Sequence, residues 1–100
     1  MSKPVGRIGD LYNDGDEQME GSDTVFANFT PIARVGDLTT GHSIPPCFWP
    51  PAEIITGSGT VFANFAPIAG VGDIHDVHCC GPACHTGELI IGSDDVMVGD

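Results

Sequence analysis

GSGTVFANFAPIAGVGD, residues 57–73, is a near copy of GSDTVFANFTPIARVGD, residues 21–37. Fourteen of the seventeen positions are identical; the exceptions are Asp23/Gly59, Thr30/Ala66 and Arg34/Gly70. The copies start 36 residues apart, and a third Gly-Ser follows at Gly92 and Ser93, 35 residues after the second start. A fixed period of this length marks a repeat architecture. The chain opens on PVGRIGD, residues 4–10, which lies over PIARVGD at 31–37 and PIAGVGD at 67–73. It closes on a shortened unit, GSDDVMVGD, at 92–100. Two full units and one divided unit make three quasi-repeats.

Each unit reads as a hairpin. Thr24, Val25, Phe26 and Ala27 are rich in β-branched and aromatic types and predict an extended segment. Asn28 is a turn former, and Thr30 to Val35 predicts the returning strand. Pro31 and Pro67 lack a ladder donor, which places them at a strand start or on an edge. Phe26, Phe29, Phe62 and Phe65, with Val25, Ile32, Val61 and Ile68, are the expected core. Three connectors separate the units: an acidic one at 11–20, a longer one at 38–56 and another at 74–91. Connectors this long in a small domain are usually functional or tied down.

One hundred residues predict one domain, 1–100, with a thin core that benefits from a staple. Fourteen glycines and eight prolines without helical heptads point to short strands and an all-β fold. The formal net charge is −11, and the basic residues are Lys3, Arg7 and Arg34 alone. Such a chain cannot neutralise phosphates, which argues against nucleic acid and against anionic membrane surfaces as partners. The first residues lack the apolar core of a signal peptide.

The chemistry-bearing residues sit in the connectors. His42 and Cys47 lie in the second; His75, His78, Cys79, Cys80, Cys84 and His85 lie in the third. Without a secretory signal, such a cluster favours a metal site over a disulfide framework. The disulfide reading, Cys47 to one of Cys79, Cys80 or Cys84, stays open. His75 reads as a solvated loop residue. The acidic connector fails the calcium-loop pattern at Tyr12 and Gly21 and reads as a solvated loop. Ile44 to Pro51, IPPCFWPP, reads as a rigid connector that packs Trp49 on the β core. Cysteine–histidine catalysis needs a cleft and an orienting base. A closed four-ligand zinc has no open position for water. An enzyme is therefore not expected.

The two repeats and both long connectors resemble the PAAR-repeat family, whose members cap the spikes of type VI secretion systems, contractile phage tails and related injection machines. Its unit resembles Gly-Ser-x-x-Val-Phe-x-Asn-Gly-x-Pro-Ala-Ala-Arg-x-Gly-Asp. Here the signature reads Pro31-Ile32-Ala33-Arg34 and Pro67-Ile68-Ala69-Gly70, so the second arginine is lost. The family's Asn-Gly turn reads Asn28-Phe29 and Asn64-Phe65. A phenylalanine at positive φ is uncommon, which points away from the tight type I′ turn.

The resemblance implies a compact cone of short β-hairpins with pseudo-threefold symmetry, and one structural zinc ion near its vertex. The family's usual set of three histidines and one cysteine carries over as His42, His78, His85 and a cysteine of the third connector. Alternation along an extended 78–80 segment favours Cys80, with Cys79 as runner-up. The resemblance also implies a trimeric β-helical spike as partner, one chain per trimer, with no homo-oligomer and only transient contact with the pierced membrane. The expected role is a bare, non-enzymatic spike tip, at the end of a phage tail or secreted through the type VI apparatus. The phage-type connectors lean towards the tail. A small metal-binding or disulfide-linked adhesion module is the alternative, and a minimal toxin built on Cys80 and His78 a third reading.

Overall fold

A computed structural model describes residues 2–99. The described chain is all-β, with no helix and ten short strands in five antiparallel pairs. Strands β2 (Phe26–Ala27) and β3 (Thr30–Pro31) form the hairpin of the first unit, and β6 (Phe62–Ala63) and β7 (Ala66–Pro67) that of the second. The divided unit is completed across the chain ends, where β1 (Ser2–Pro4) pairs β10 (Met97–Gly99). The two long connectors each contain a hairpin. These are β4 (His42–Ile44) with β5 (Cys47–Trp49), and β8 (His78–Cys80) with β9 (Ala83–His85).

The strands of the units are shorter than the sequence suggests, for two local reasons. Ser22 Oγ accepts from the Thr24 and Val25 amides, and Ser58 and Ser93 repeat the arrangement, so each unit opens on a turn. Past Pro31, which has no amide hydrogen to give, only the Ile32 amide still reaches back into its own hairpin, at Val25 O, and the chain then pairs with its neighbours. Arg7 bridges Ile32, Arg34 bridges Ile68, and Gly70 bridges Val5, so the three Pro-x-x-x-x-Gly-Asp segments close on one another. At the middle of this closure the Gly6 amide donates to Ala69 O at 3.0 Å, the Ala69 amide to Ala33 O at 3.0 Å, and the Ala33 amide to Gly6 O at 2.8 Å. The side chains at these three positions are hydrogen or methyl, and both alanines are fully buried.

A second layer lies under the first. Tyr12, Thr39 and His75 each stand two residues after a Gly-Asp; Gln18, Ile54 and Leu89 each stand three before a Gly-Ser. All six are buried, and they alternate by bridges, Gln18 to Thr39, Ile54 to His75 and Leu89 to Tyr12, joining each connector to the next. The acidic connector is therefore not a solvated loop: Tyr12, Asp16 and Gln18 are buried in it. His75 is not a solvated residue either; it is fully buried.

The aromatic core expected from the sequence is not observed. Val5, Ala27, Ile32, Ala63, Ile68 and Val98 form one apolar cluster, and Ala33, Ile54 and Ala69 another. Phe29 and Phe65 are completely exposed, and Phe26 and Phe62 are about half exposed at 53% and 55%. Chains that approach closely enough to share the Gly6–Ala33–Ala69 hydrogen bonds leave no room inside for rings. The tight turn is retained despite its phenylalanines. Asn28 and Phe29 have φ of 54° and 65°, and Asn64 and Phe65 of 54° and 69°, the two positive values that a type I′ turn needs.

The lost arginine has a replacement. Arg7 pairs with Asp10, and Arg34 with Asp37, each through its own unit. Asp73 pairs instead with Lys3 Nζ at 2.6 Å, across the chain closure. A Cβ on Gly70 would lie 2.4 Å from Pro4 O and 3.0 Å from Lys3 Cγ, so a side chain there would push β1 away.

Ala33→Leu should destabilise the fold by roughly 1–3 kcal/mol through overpacking of the closure, read as a lower urea midpoint. An unchanged midpoint would show that the closure is loose enough to admit a larger side chain.

Candidate metal centre

The two connector hairpins meet face to face. In β4–β5, His42 pairs with Trp49 and Ile44 with Cys47; in β8–β9, His78 pairs with His85 and Cys80 with Ala83. Directly paired residues share a sheet face, so one face carries His42 and Trp49 and the other His78 and His85. The faces are held by a disulfide, Cys47–Cys80, and by Trp49 Nε1 donating to Ala83 O at 2.9 Å. Trp49 is buried, as expected, but against imidazoles: its ring stacks on His42 at 4.9 Å and tilts over His85 at 5.2 Å.

The four histidines form one cluster. His42 and His78 ring centroids are 5.1 Å apart, His78 and His85 4.7 Å, and His75 and His78 4.6 Å. The acidic connector completes it. The turn at residues 12–16, closed by Tyr12 donating to Asp16 O and Gly15 to Tyr12 O, directs Asp14 and Asp16 into the cluster. Gly87 leaves space for this, since a Cβ there would lie 2.6 Å from the Asp14 carboxylate.

The hydrogen bonds fix which nitrogens are free. His42 Nδ1 donates to Asp16 Oδ1 at 2.5 Å, and His78 Nδ1 to Pro50 O at 2.7 Å. Each ring then keeps a lone pair on Nε2, and that of His78 faces His85 and Asp14 in the cluster interior. His78 Nε2 lies 3.0 Å from His85 Nε2, and each of these nitrogens is 3.3 Å from Asp14 Oδ2. His75 donates Nδ1 to Asp76 O at 2.6 Å and approaches Asp14 Oδ2 with Nε2 at 2.7 Å. Burial pushes the Asp14 carboxyl up, but hydrogen bonds from the Asp16 amide and His75, with nearby His75 and His42, more than offset it and hold it below the usual carboxylate range. Burial, followed by the charges of Asp16 and Asp14, pushes the Tyr12 hydroxyl well up, so it stays a donor to Gln18 Oε1.

Several acceptors thus converge with few protons among them, which is the chemistry of a cation site. Asp14, His42, His78 and His85 can present ligand atoms within 4.8 Å of one another; so can Asp14, Asp16, His75 and His78. Imidazole nitrogens with a carboxylate oxygen suit zinc and other divalent first-row metals. Asp16 holds His42 as metal-binding histidines are usually held, by a carboxylate on the far nitrogen.

Of the residues read as ligands from the sequence, His42, His78 and His85 come together. Cys80 does not offer a thiolate: its sulfur is joined to Cys47, the disulfide reading left open above, and Cys79 is joined to Cys84. The geometry explains the choice, because Cys79 faces Cys84 across the β8–β9 hairpin while Cys80 faces the other hairpin. Asp14, Asp16 and His75 were missed. The signal for His75 was present in the repeat register, where it matches Tyr12 and Thr39. No comparable signal marks Asp14, whose turn has no counterpart in the other connectors.

Zn2+ should raise the melting temperature, and His85→Ala should abolish most of that response. At saturation a thousandfold above Kd the gain is about 4 kcal/mol, or roughly 15–30 °C in a chain of this size. Asp16→Asn should weaken zinc binding by roughly 10–100-fold; wild-type affinity by calorimetry would remove Asp16 from the centre. A scan of protein-family models gives no match to the chain, and a search of curated proteins gives none either.

Proposed function

We propose that this chain is a non-enzymatic spike-tip protein that caps the end of a trimeric β-helical spike in a contractile injection machine, a phage tail or a type VI secretion system. The observation that carries the reading is a set of three equivalent exposed apolar pairs. Val25 and Phe26 are 37% and 53% exposed, Val61 and Phe62 38% and 55%, and Val96 and Met97 37% and 55%. Each pair precedes or begins a strand in a two-stranded sheet, leaving edges open to further pairing. A trimeric β-structure ends in three strand edges, and one chain with three such hairpins can cover all of them by strand addition. The closed cycles of bridges and hydrogen bonds support a pseudo-threefold cone, since a single copy on a threefold axis has to repeat its contacts internally.

Phe29 and Phe65 add to this surface. A non-glycine residue at positive φ costs about 1–2 kcal/mol, and both rings are wholly in solvent. Their conformational cost has no return within the chain and suits contacts made with a partner. One zinc ion held by His42, His78 and His85 would brace the point, pinning the connectors to one another. The cap would work mechanically, present at the tip of the tail or secreted with the spike, and would meet the target membrane only in passing.

The two disulfides favour one rival, a disulfide-linked adhesion module without a spike. The readings part on stoichiometry. Mixed with the trimeric β-helical spike of its own machine, the chain should form a complex of one copy per trimer, and any other ratio by mass measurement sinks the cap. Replacing Phe29 and Phe65 together by glycine should leave the melting temperature unchanged or higher, because glycine accepts positive φ, and should weaken capture by at least tenfold. Full capture by that variant would confine docking to the strand edges.

A further inference from the structure

Three of the four candidate ligands are accounted for by histidine; the fourth position is open to Asp14 or to a cysteine released from its disulfide. We infer that Asp14 is the fourth ligand, that His75 is the residue that positions it, and that the centre is therefore free of sulfur and indifferent to the redox state of Cys47 and Cys80. This rests on the reading of the histidine cluster as a metal centre, and not on the spike.

Three observations support it. Asp14 Oδ2 lies 3.3 Å from both His78 Nε2 and His85 Nε2, the same two nitrogens that face each other at 3.0 Å. The oxygen and the His78 nitrogen are acceptors, since His78 keeps its Nδ1 proton for Pro50 O, and His85 Nε2 joins them when its ring proton sits on Nδ1. An ion among them replaces mutual repulsion by coordination. Second, the carboxylate is oriented on both oxygens. The Asp16 amide donates to Oδ1 at 3.1 Å, and His75 Nε2 meets Oδ2 at 2.7 Å. His75 Nδ1 gives its hydrogen to Asp76 O, while the opposite edge of the same buried ring holds Asp14 in place. A divalent ion would offset the two carboxylates enclosed here, Asp14 and Asp16. Third, the cysteines have another function. Cys47–Cys80 closes a loop of sequence separation 33 between the two hairpins. A cross-link of that kind stabilises the fold without any metal, by restricting the unfolded chain.

The chemical consequence is that metal binding and cysteine oxidation are separate events. Zinc can enter while the thiols are reduced, using three nitrogens and one oxygen. Exchange of the two thiols with an external disulfide, which leaves as two thiols carrying the electron pair and both protons, can then close Cys47–Cys80 without displacing it, since no ligand is consumed.

Cobalt(II) replaces zinc and reports its ligands by colour, so the probe is Co2+ alone, added to the full chain before and after treatment with a phosphine reductant. The expected result is a tetrahedral d–d spectrum with no sulfur-to-cobalt charge-transfer band in either state. The Cys47→Ser/Cys80→Ser double variant should bind Zn2+ within about threefold of wild type. Asp14→Ala should lose at least tenfold in affinity; if it fails to fold, Asp14→Glu should keep binding with an altered d–d spectrum. His75→Gln, which can still donate to Asp14, should bind more tightly than His75→Leu, a difference that bulk packing would not give. A charge-transfer band on reduction that disappears with Cys80→Ser overturns the assignment of Asp14 while leaving the metal centre in place. Failure of the wild-type chain to take up Co2+ in either state overturns the metal reading itself.

Discussion

The three hydrogen bonds among Gly6, Ala33 and Ala69 are the constraint from which the rest of the architecture follows. Three separate segments of one chain donate to one another in a closed cycle, which forces their Cα atoms to a common centre. Only hydrogen or methyl fits there, so the core has few apolar atoms to bury, and burial contributes little per residue. Larger side chains flanking the closure are moved outward. That is why the valines and phenylalanines beside each Gly-Ser are exposed, and why the apolar cores are built from alanine, isoleucine and valine. An exposed apolar surface in this fold is thus a consequence of closure.

A closure this thin needs bonds at its rim, and they are ionic. Asp10, Asp37 and Asp73 are each held by a cation at the rim, and each also receives the amide of the residue three before it. Arg7 and Arg34 reach further, to Asn28 and Asn64, and so tie the closure to the turn of the following hairpin. The Arg7 and Arg34 guanidiniums are raised by hydrogen bonds to Asp10 and Asp37, which outweigh partial burial. At the third corner the hairpin is made from the two ends of the chain, and Lys3 comes from the strand itself. The same charge reaches the same place by a different route, which makes Gly70 necessary where its counterpart is arginine.

How much of this could be read from residues alone depends on whether a property was local or relational. The period, the all-β class and the short hairpins were legible because they are written in spacing and composition. The burial of the phenylalanines was misread because hydrophobicity predicts a preference, and closure decided against it. The turn was misread for a similar reason: Phe29 and Phe65 pay a local strain that the flanking pairs Ala27–Thr30 and Ala63–Ala66 over-determine. At the site, three histidines were recoverable from their connectors, whereas Asp14 and Asp16 were discounted by comparing their connector with a calcium loop. Their meaning lies in what the turn at 12–16 faces, and that is fixed by Leu89 and Glu88 from the far end of the chain. Cys80 was assigned by its alternation with His78, which holds, but alternation does not show that Cys47 stands opposite.

Repeat and connector divide the work in a way that the physical chemistry requires. A contact surface for a symmetric partner must be repeated, so its residues recur at matching positions with matching exposure. A candidate metal centre made of unlike ligands, by contrast, draws on segments that differ from one another. Here the connectors differ. The first gives carboxylates, the second one histidine and a tryptophan, and the third three histidines with most of the sulfur. What they share is the inward position two residues after Gly-Asp, filled by Tyr12, Thr39 and His75. Tyr12 bonds Gln18, Thr39 bonds Asp16 at 2.5 Å, and His75 bonds Asp14. The repeated frame therefore sets the platform for the candidate ligands, and two of its three inward residues hold the carboxylates of the cluster.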